Sequence, residues 1–154
     1  MKLKPSLWLP PPAIVAIIAT LMWLSEQRLA HWSVRFAGQQ GLVWLLVVFG
    51  LVLMVLAAWQ LRRANTTILP FVPEQTRQLV TEGIFRYSRN PIYVGDFLLL
   101  LAWAVWLGNG VALIWLLVFI GYMNKMQIAA EERALAVKFG SDYQEYCRKA
   151  RRWL

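Results

Sequence analysis

The stretch GLVWLLVVFGLVLMVLAAWQL, from Gly41 to Leu61, decides the class of fold. It contains 21 residues without a charged side chain, and Gln60 is its polar interruption. A helix rises about 1.5 Å per residue, so this stretch reaches roughly 31 Å and can cross the hydrocarbon core of a bilayer. It therefore predicts a membrane-spanning helix.

The composition of the whole chain agrees with a membrane protein. Of its 154 residues, 59% are hydrophobic and 16% are charged, whereas a soluble domain carries about 25% charged residues. The nine tryptophans are also typical of proteins that meet the membrane–water interface. These values exclude a disordered chain, argue against an ordinary soluble fold, and predict a single domain over residues 1–154.

Three further apolar segments are candidate spans. The first helix is predicted to begin near Pro12, because prolines suit the start of a helix and not its middle, and to run toward Leu29. The segments 91–107 and 111–123 are separated only by the turn Gly108-Asn109-Gly110, which predicts a tight helical hairpin.

The last apolar segment continues into a polar region without a helix breaker. No glycine or proline follows Met123 until Gly140, so we expect one long helix that leaves the lipid, followed by a short amphipathic C-terminal helix. The predicted fold is an all-α integral membrane bundle of about four transmembrane helices plus this cytoplasmic amphipathic helix.

The distribution of charge predicts the orientation. The net charge is +8, with five Lys or Arg residues in the loop 62–91 and seven from Lys125 onward, but two in the loop 25–40 and none in the turn 108–110. The positive-inside rule then places both termini and the middle loop in the cytoplasm. Because the basic runs adjoin apolar segments, we expect no nucleic-acid partner. No metal site is predicted, and the single Cys147 cannot form an internal disulfide.

Two polar features face the cytoplasmic side in this arrangement. Asn124, Gln127 and Glu131 are three and four residues apart, so they share a helical face that either lines a cavity or marks the interface. The adjacent Glu131 and Glu132 point about 100° apart. One carboxylate is thus free to bind a cation while the other pairs with arginine; the alternative is a solvated acidic patch beside Arg133.

Two longer motifs carry a resemblance to a known family. TEGIFRYSRNPIYVG (81–95) closely resembles the signature T-x-G-x-[YF]-x-x-x-R-H-P-x-Y-x-G of the isoprenylcysteine carboxyl methyltransferases, and EERALAVKFGSDYQEY (131–146) is similar to their E-E-x-x-L-x-x-x-F-G-x-x-Y-x-x-Y ending. With the hairpin between them, the motifs cover about half of the chain, residues 79–152. The related phospholipid methyltransferases share the Glu-Glu pair and a comparable hairpin.

The resemblance implies an integral membrane, multi-pass methyltransferase that uses S-adenosylmethionine at a cytoplasmic site. Residues 1–61 would form the first two spans, and residues 62–154 the cofactor-binding loop, the hairpin and the C-terminal helix. Gln78, Leu79 and Val80 would contact the adenosine end of the cofactor, and Glu131 its methionine or ribose part. The other implied cofactor contacts are Phe85, Asn90, Pro91, Ile92 and Tyr93.

The chain departs from the family pattern at two positions. Asn90 stands where the family has histidine, and Gln127 stands where the isoprenylcysteine enzymes carry an arginine that holds the substrate. A carboxylate acceptor wants a bidentate arginine, so either Arg89, Lys125 or Arg86 replaces it, or the acceptor is not a prenylcysteine carboxylate. Arg89, Glu132 and Gln127 are accordingly the candidate catalytic residues.

The acceptor is expected to be a lipophilic small molecule or a lipid-modified substrate that arrives through membrane lipid. A phospholipid or amine N-methyltransferase is one alternative. A second is a sterol-reductase-like protein that binds NADPH, because Tyr93-Val94-Gly95-Asp96 fits part of the R-x-x-x-Y-x-G-D stretch of those enzymes. The third is a membrane protein that kept the fold without the chemistry.

Overall fold

The computed structural model describes residues 9–29, 33–66 and 78–154. The regular elements in these ranges are helical. Two isolated β-bridges also connect segments that lie outside the helices. The helices are α1 (Pro11–Arg28), α2 (Gln39–Arg63), α3 (Pro91–Leu107), α4 (Ala112–Tyr122) and α5 (Ala129–Lys149), with a 3₁₀ turn at Gly83–Arg86 and a π-helical segment at Met123–Ile128. Part of the predicted basic loop, including Arg77, lies outside the described residues.

Among the described residues, two helical runs are long and apolar enough to cross a membrane. They are α2, with 25 residues, and the continuous run Ala112–Lys149, with 38 residues; α3 is a shorter apolar helix. Helix α2 leaves large apolar side chains exposed, among them Trp44 at 62% and Leu45 at 65%. A helix with apolar residues exposed on this scale suits contact with lipid tails.

Helices α2 and α3 pack with their backbones close together. A Cβ atom on Gly50 would lie 3.1 Å from the carbonyl oxygen of Gly95, and a Cβ on Gly95 would overlap Met54 Cγ. Small residues at such a crossing allow the approach that dispersion contacts need in a membrane. This contact places the first turns of α3 beside the middle of α2.

Helix α1 packs against α3 and α4 around a shared apolar core. Met22, Leu100 and Phe119 are among its fully buried side chains. Two tryptophans fasten α1 to the hairpin: Trp103 Nε1 donates to the carbonyl of Ala19 at 3.0 Å, and Trp115 Nε1 donates to Ser25 Oγ at 2.9 Å.

The long helix predicted after residue 111 is present. Helix α4, the π-helical segment and α5 run on without a break to Gly140, where φ of 51° and ψ of −120° kink the backbone. The π-helical segment was not predicted. It changes the rotation of the residues that follow it, because a π turn contains more residues than an α turn.

Candidate functional site

The site is built around the carboxylate of Glu131, in the first turn of α5. Its Oε1 accepts hydrogen bonds from Tyr93 Oη and from Gln127 Nε2, both at 2.6 Å. Tyr93 belongs to the first turn of α3 and is 6% exposed, and Gln127 belongs to the π-helical segment and is 4% exposed. Helix α3 and the long helix, which are far apart in sequence, therefore meet at one carboxylate, and Gln127 and Glu131 lie on the same face of the long helix.

The neighbouring Glu132 points elsewhere and pairs with arginine. Its Oε1 accepts from Arg89 Nη2 at 2.8 Å and from Arg152 Nε at 3.0 Å, and its Oε2 accepts from Arg152 Nη2. The divergence of the two carboxylates is therefore confirmed. The solvated acidic patch beside Arg133 is not formed, because Glu131 is bonded to Tyr93 and Gln127 while Glu132 is paired with the two arginines.

Arg89 joins the loop before α3 to the end of α5. Besides Glu132, its guanidinium donates to the carbonyls of Ala150 at 2.6 Å and Cys147 at 3.3 Å, while its Nε–H is buried without a partner among the described residues. Burial disfavours the charged form, but the hydrogen bond and charge of Glu132 outweigh it, and the pKa of Arg89 is raised. The predicted holder of a substrate carboxylate is thus already engaged by protein groups.

The two sequence motifs pack directly on each other. Tyr146 Oη donates to the carbonyl of Phe85 at 2.7 Å, and Leu79 packs against the cluster of Tyr143, Tyr146 and Ala150. The ring of Phe85 is itself buried. The C-terminal end of α5 therefore rests on the loop that leads into α3, with its tyrosine face against protein.

The other residues predicted to contact a cofactor occupy this loop and the first turn of α3. Gln78 is exposed and Val80 is half-buried. Pro91 is buried and Ile92 packs against the main core. Asn90 donates from Nδ2 to the carbonyl of Arg152 at 2.9 Å. Of this set, Tyr93 bonds directly to Glu131, whereas Asn90 bonds to the backbone of Arg152, whose guanidinium pairs with Glu132.

The loop needs its glycine for two reasons. Gly83 has a φ of 59°, a left-handed conformation that costs other residues more than it costs glycine. A side chain there would also overlap Gln60 Nε2 at the end of α2. The Thr-x-Gly motif thus sets the path of the loop toward Phe85.

Sequence reasoning missed the last five residues, Ala150–Leu154. After α5 the backbone becomes extended at Ala150, and Arg89 N donates to the carbonyl of Arg151 at 2.8 Å. Trp153 Nε1 then donates to Asn124 Oδ1 at 3.0 Å, and its ring meets Phe119 edge-on at 6.5 Å. The feature of the sequence that could have indicated this contact is a tryptophan at the end of a basic run.

Asp96 is a buried carboxylate near the site, one turn after Tyr93. It is 7% exposed and forms no ion pair with any arginine or lysine in the described ranges. Its position within α3 leaves it on the side of the helix that faces protein.

The arrangement as a whole suits a ligand with mixed charge. The Glu131 carboxylate can accept from a cationic amino group, the first-turn N–H groups of α3 can donate to an anion, and the ring of Tyr93 lies beside the carboxylate. These groups lie at the end of the bundle where α3 begins and the long helix leaves the apolar region.

Comparison with known proteins gives a consistent picture. A family model described as phospholipid methyltransferase matches residues 39–142, more than half of the chain. A Haemophilus influenzae protein described as uncharacterized is 48% identical over 63 residues, which are 41% of this chain and 100% of that protein.

Two relatives carry an activity in their names. The protein-S-isoprenylcysteine O-methyltransferase of Schizosaccharomyces pombe is 37% identical over 71 residues, 46% of this chain and 30% of that protein. The protein-S-isoprenylcysteine O-methyltransferase B of Arabidopsis thaliana is 26% identical over 143 residues, 89% of this chain and 70% of that protein. The chain thus spans less than a third of the length of the fission yeast relative. No solved structure matches it.

Proposed function

Because the chain belongs to the phospholipid methyltransferase family, we propose that it is a membrane enzyme that transfers a methyl group from S-adenosylmethionine to a lipophilic acceptor. A carboxylate of the prenylcysteine type is the first candidate acceptor. The observation that carries the proposal is the half-buried Glu131 carboxylate, held by Tyr93 and Gln127 where the two family motifs meet.

The residues present fit this cofactor. S-adenosylmethionine, when bound, supplies a methyl group activated by a sulfonium centre. Glu131 would hold the cationic amino group, and Gln78, Leu79 and Val80 would hold the adenosine end. The remaining contacts would come from Phe85, Asn90, Pro91, Ile92 and Tyr93. The fit rests on the donor set: a fixed anionic oxygen beside the ring of Tyr93 and the free N–H groups of a helix start.

The acceptor side is assigned to Gln127, Glu132 and Arg89. Gln127 is a neutral amide beside Glu131, so it can orient an acceptor oxygen without binding it as an ion. The ion pair of Arg89 and Glu132 would hold the wall of the site in place. A carboxylate acceptor needs no general base, so these residues would act by orienting the acceptor and excluding water.

The orientation follows from the charge distribution. We place α1, α2, α3 and α4 across the membrane, with both termini and the site in the cytoplasm, since the basic residues lie at that end. The polar groups of the site then lie where the long helix leaves the lipid, and a lipophilic acceptor can enter sideways.

A phospholipid or other amine acceptor is the second candidate. It is favoured by the description of the matching family and by Gln127, which lacks the charge that would recognise a carboxylate. An ammonium must lose a proton before it attacks, so this acceptor would need a base. Family membership favours neither a nicotinamide-binding reductase nor a non-catalytic protein.

Methyl transfer in isolated membranes tests the proposal. Membranes containing the protein receive S-adenosylmethionine labelled in its methyl group, and the labelled product is extracted. A base-labile ester identifies a carboxylate acceptor, whereas label in headgroup amines identifies a phospholipid. Glu131→Gln should abolish most labelling, and the matched control Glu145→Gln should not, because Glu145 pairs with Lys149 on the surface. Equal labelling in membranes without the protein would contradict the proposal.

A further inference from the structure

The C-terminal segment Ala150–Leu154 contacts the π-helical segment and also the first turn of α5, which follows it and carries Glu131. Trp153 donates to Asn124, which lies inside the π-helical segment, and Arg152 pairs with Glu132, which lies in the first turn of α5. Neither contact is local in sequence. Both tie the end of the chain to the part of the long helix that presents the Glu131 carboxylate.

The rotation of this part of the helix has to be fixed by contacts with other parts of the chain. In the π-helical segment the regular hydrogen-bond ladder is replaced by wider turns, so the rotation of α5 relative to α4 is not set by α-helical geometry alone. Glu131 meets Tyr93 and Gln127 only at one rotation of α5. Because Glu132 is the next residue, fixing the direction of its carboxylate also fixes the direction of Glu131.

We propose that Arg152 and Trp153 are positioning residues for the candidate cofactor site, acting through Glu132 and Asn124 to keep Glu131 aimed at Tyr93. The proposal rests on the proposed function, since it assigns their effect to binding of S-adenosylmethionine. Arg152 and Arg89 both form ion pairs with Glu132. The indole N–H of Trp153 donates to the π-helical segment, while its ring packs on Phe119.

The segment also reaches the loop that leads into α3. The carbonyl of Arg152 accepts from Asn90 Nδ2, and the carbonyl of Arg151 accepts from Arg89 N. Side-chain substitutions at 151 and 152 leave these backbone bonds possible, so they separate the role of the Arg152 guanidinium from that of the backbone.

Arg151 supplies a matched control. Its side chain is exposed, and its guanidinium contacts only the carbonyl of Leu154, at 3.5 Å, within the described chain. Arg151→Ala and Arg152→Ala therefore remove the same charge and the same number of atoms one residue apart, but only the second removes one of the two arginine partners of Glu132.

Calorimetric titration of the full-length detergent-solubilised protein with S-adenosylmethionine tests the proposal. Arg152→Ala should weaken binding about five- to thirtyfold, the effect of losing one or two good hydrogen bonds, and Arg151→Ala should leave binding unchanged. Trp153→Phe, which keeps a ring for Phe119 but loses the N–H, should also weaken binding. Arg152→Lys should fall between the wild type and Arg152→Ala, because it keeps the charge and loses the fork.

Coupling to Glu131 distinguishes positioning from general support of the fold. If Arg152 acts through Glu131, then Arg152→Ala should cause little further loss of affinity in a Glu131→Gln background. Wild-type affinity in the folded Arg152→Ala protein, or the same loss in Arg151→Ala, would overturn the proposal. A wild-type protein that does not bind S-adenosylmethionine would instead overturn the proposed function.

Discussion

Replacing Glu131 by glutamine separates cofactor binding from folding. Glutamine keeps the shape of the side chain, and its carbonyl oxygen has two lone pairs for the donors Tyr93 and Gln127. Two hydrogen bonds to a charged acceptor become two bonds to a neutral one, a loss of about 1 kcal/mol each. The neutral glutamine avoids the cost of desolvating a charged carboxylate, which offsets part of the loss in hydrogen bonding. The free energy of unfolding should therefore fall by less than about 2 kcal/mol.

Cofactor binding should suffer more. Removing the charge that faces a cationic amino group costs roughly 1.5–3 kcal/mol, which is about ten- to more than a hundredfold in affinity. Calorimetric titration with S-adenosylmethionine in detergent measures this loss, and thermal unfolding of the ligand-free protein measures the change in stability.

Glu132→Gln should give the opposite pattern, with a larger loss of stability and a smaller loss of cofactor affinity than Glu131→Gln. It breaks an ion pair with two arginines, and because the Glu132 side chain is 19% exposed the cost should be about 2–3 kcal/mol, below the ~3–5 kcal/mol of a fully buried pair. This variant should lose more stability than the Glu131 variant, and its folded fraction should bind the cofactor with a smaller loss. Unchanged cofactor affinity in a helical Glu131→Gln protein would refute the reasoning at its central residue.

Three further predictions follow from other contacts. Gly95→Ala should lower the thermal midpoint, because the new methyl group overlaps Met54, whereas Gly121→Ala meets no atom within 4 Å and should be neutral or stabilising by up to about 1 kcal/mol; equal shifts would contradict the close crossing of α2 and α3. Tyr146→Phe leaves the carbonyl of Phe85 unpaired and should cost about 1–3 kcal/mol of unfolding free energy, measured by thermal unfolding against Tyr87→Phe, whose ring is 70% exposed. Cysteines placed at Gly110 and Gln144 in a Cys147→Ser protein should react with a membrane-impermeant thiol reagent from opposite sides of the membrane, and labelling of both from one side would rule out the proposed orientation.

The helical elements of the chain were predictable because their signals are local. Pro91 starts α3 at the predicted residue and Gly108 ends it, since proline suits the first helical position and glycine tolerates the left-handed turn. The sequence predicted that the long helix ends near Gly140 and that a separate short helix follows; the structure has a kink at Gly140 within α5. The different directions of Glu131 and Glu132 follow from helix geometry alone. The sequence therefore predicted that the two carboxylates meet different groups, before those groups were known.

Which groups meet those carboxylates was decided only by the tertiary structure. Arg89 and Arg152 were two of several basic residues available to Glu132, and charge alone does not rank them. The residue types of the π-helical segment give no local signal for it; Met123 and Ile128 at its two ends are both fully buried in the packed bundle. The C-terminal residues return to the site through backbone bonds and the Trp153 indole, contacts that depend on where α5 ends relative to α3. Local residue preferences determine where each helix begins and ends, but the closing of the site depends on side chains far apart in sequence, and only the packing of the bundle brings them together.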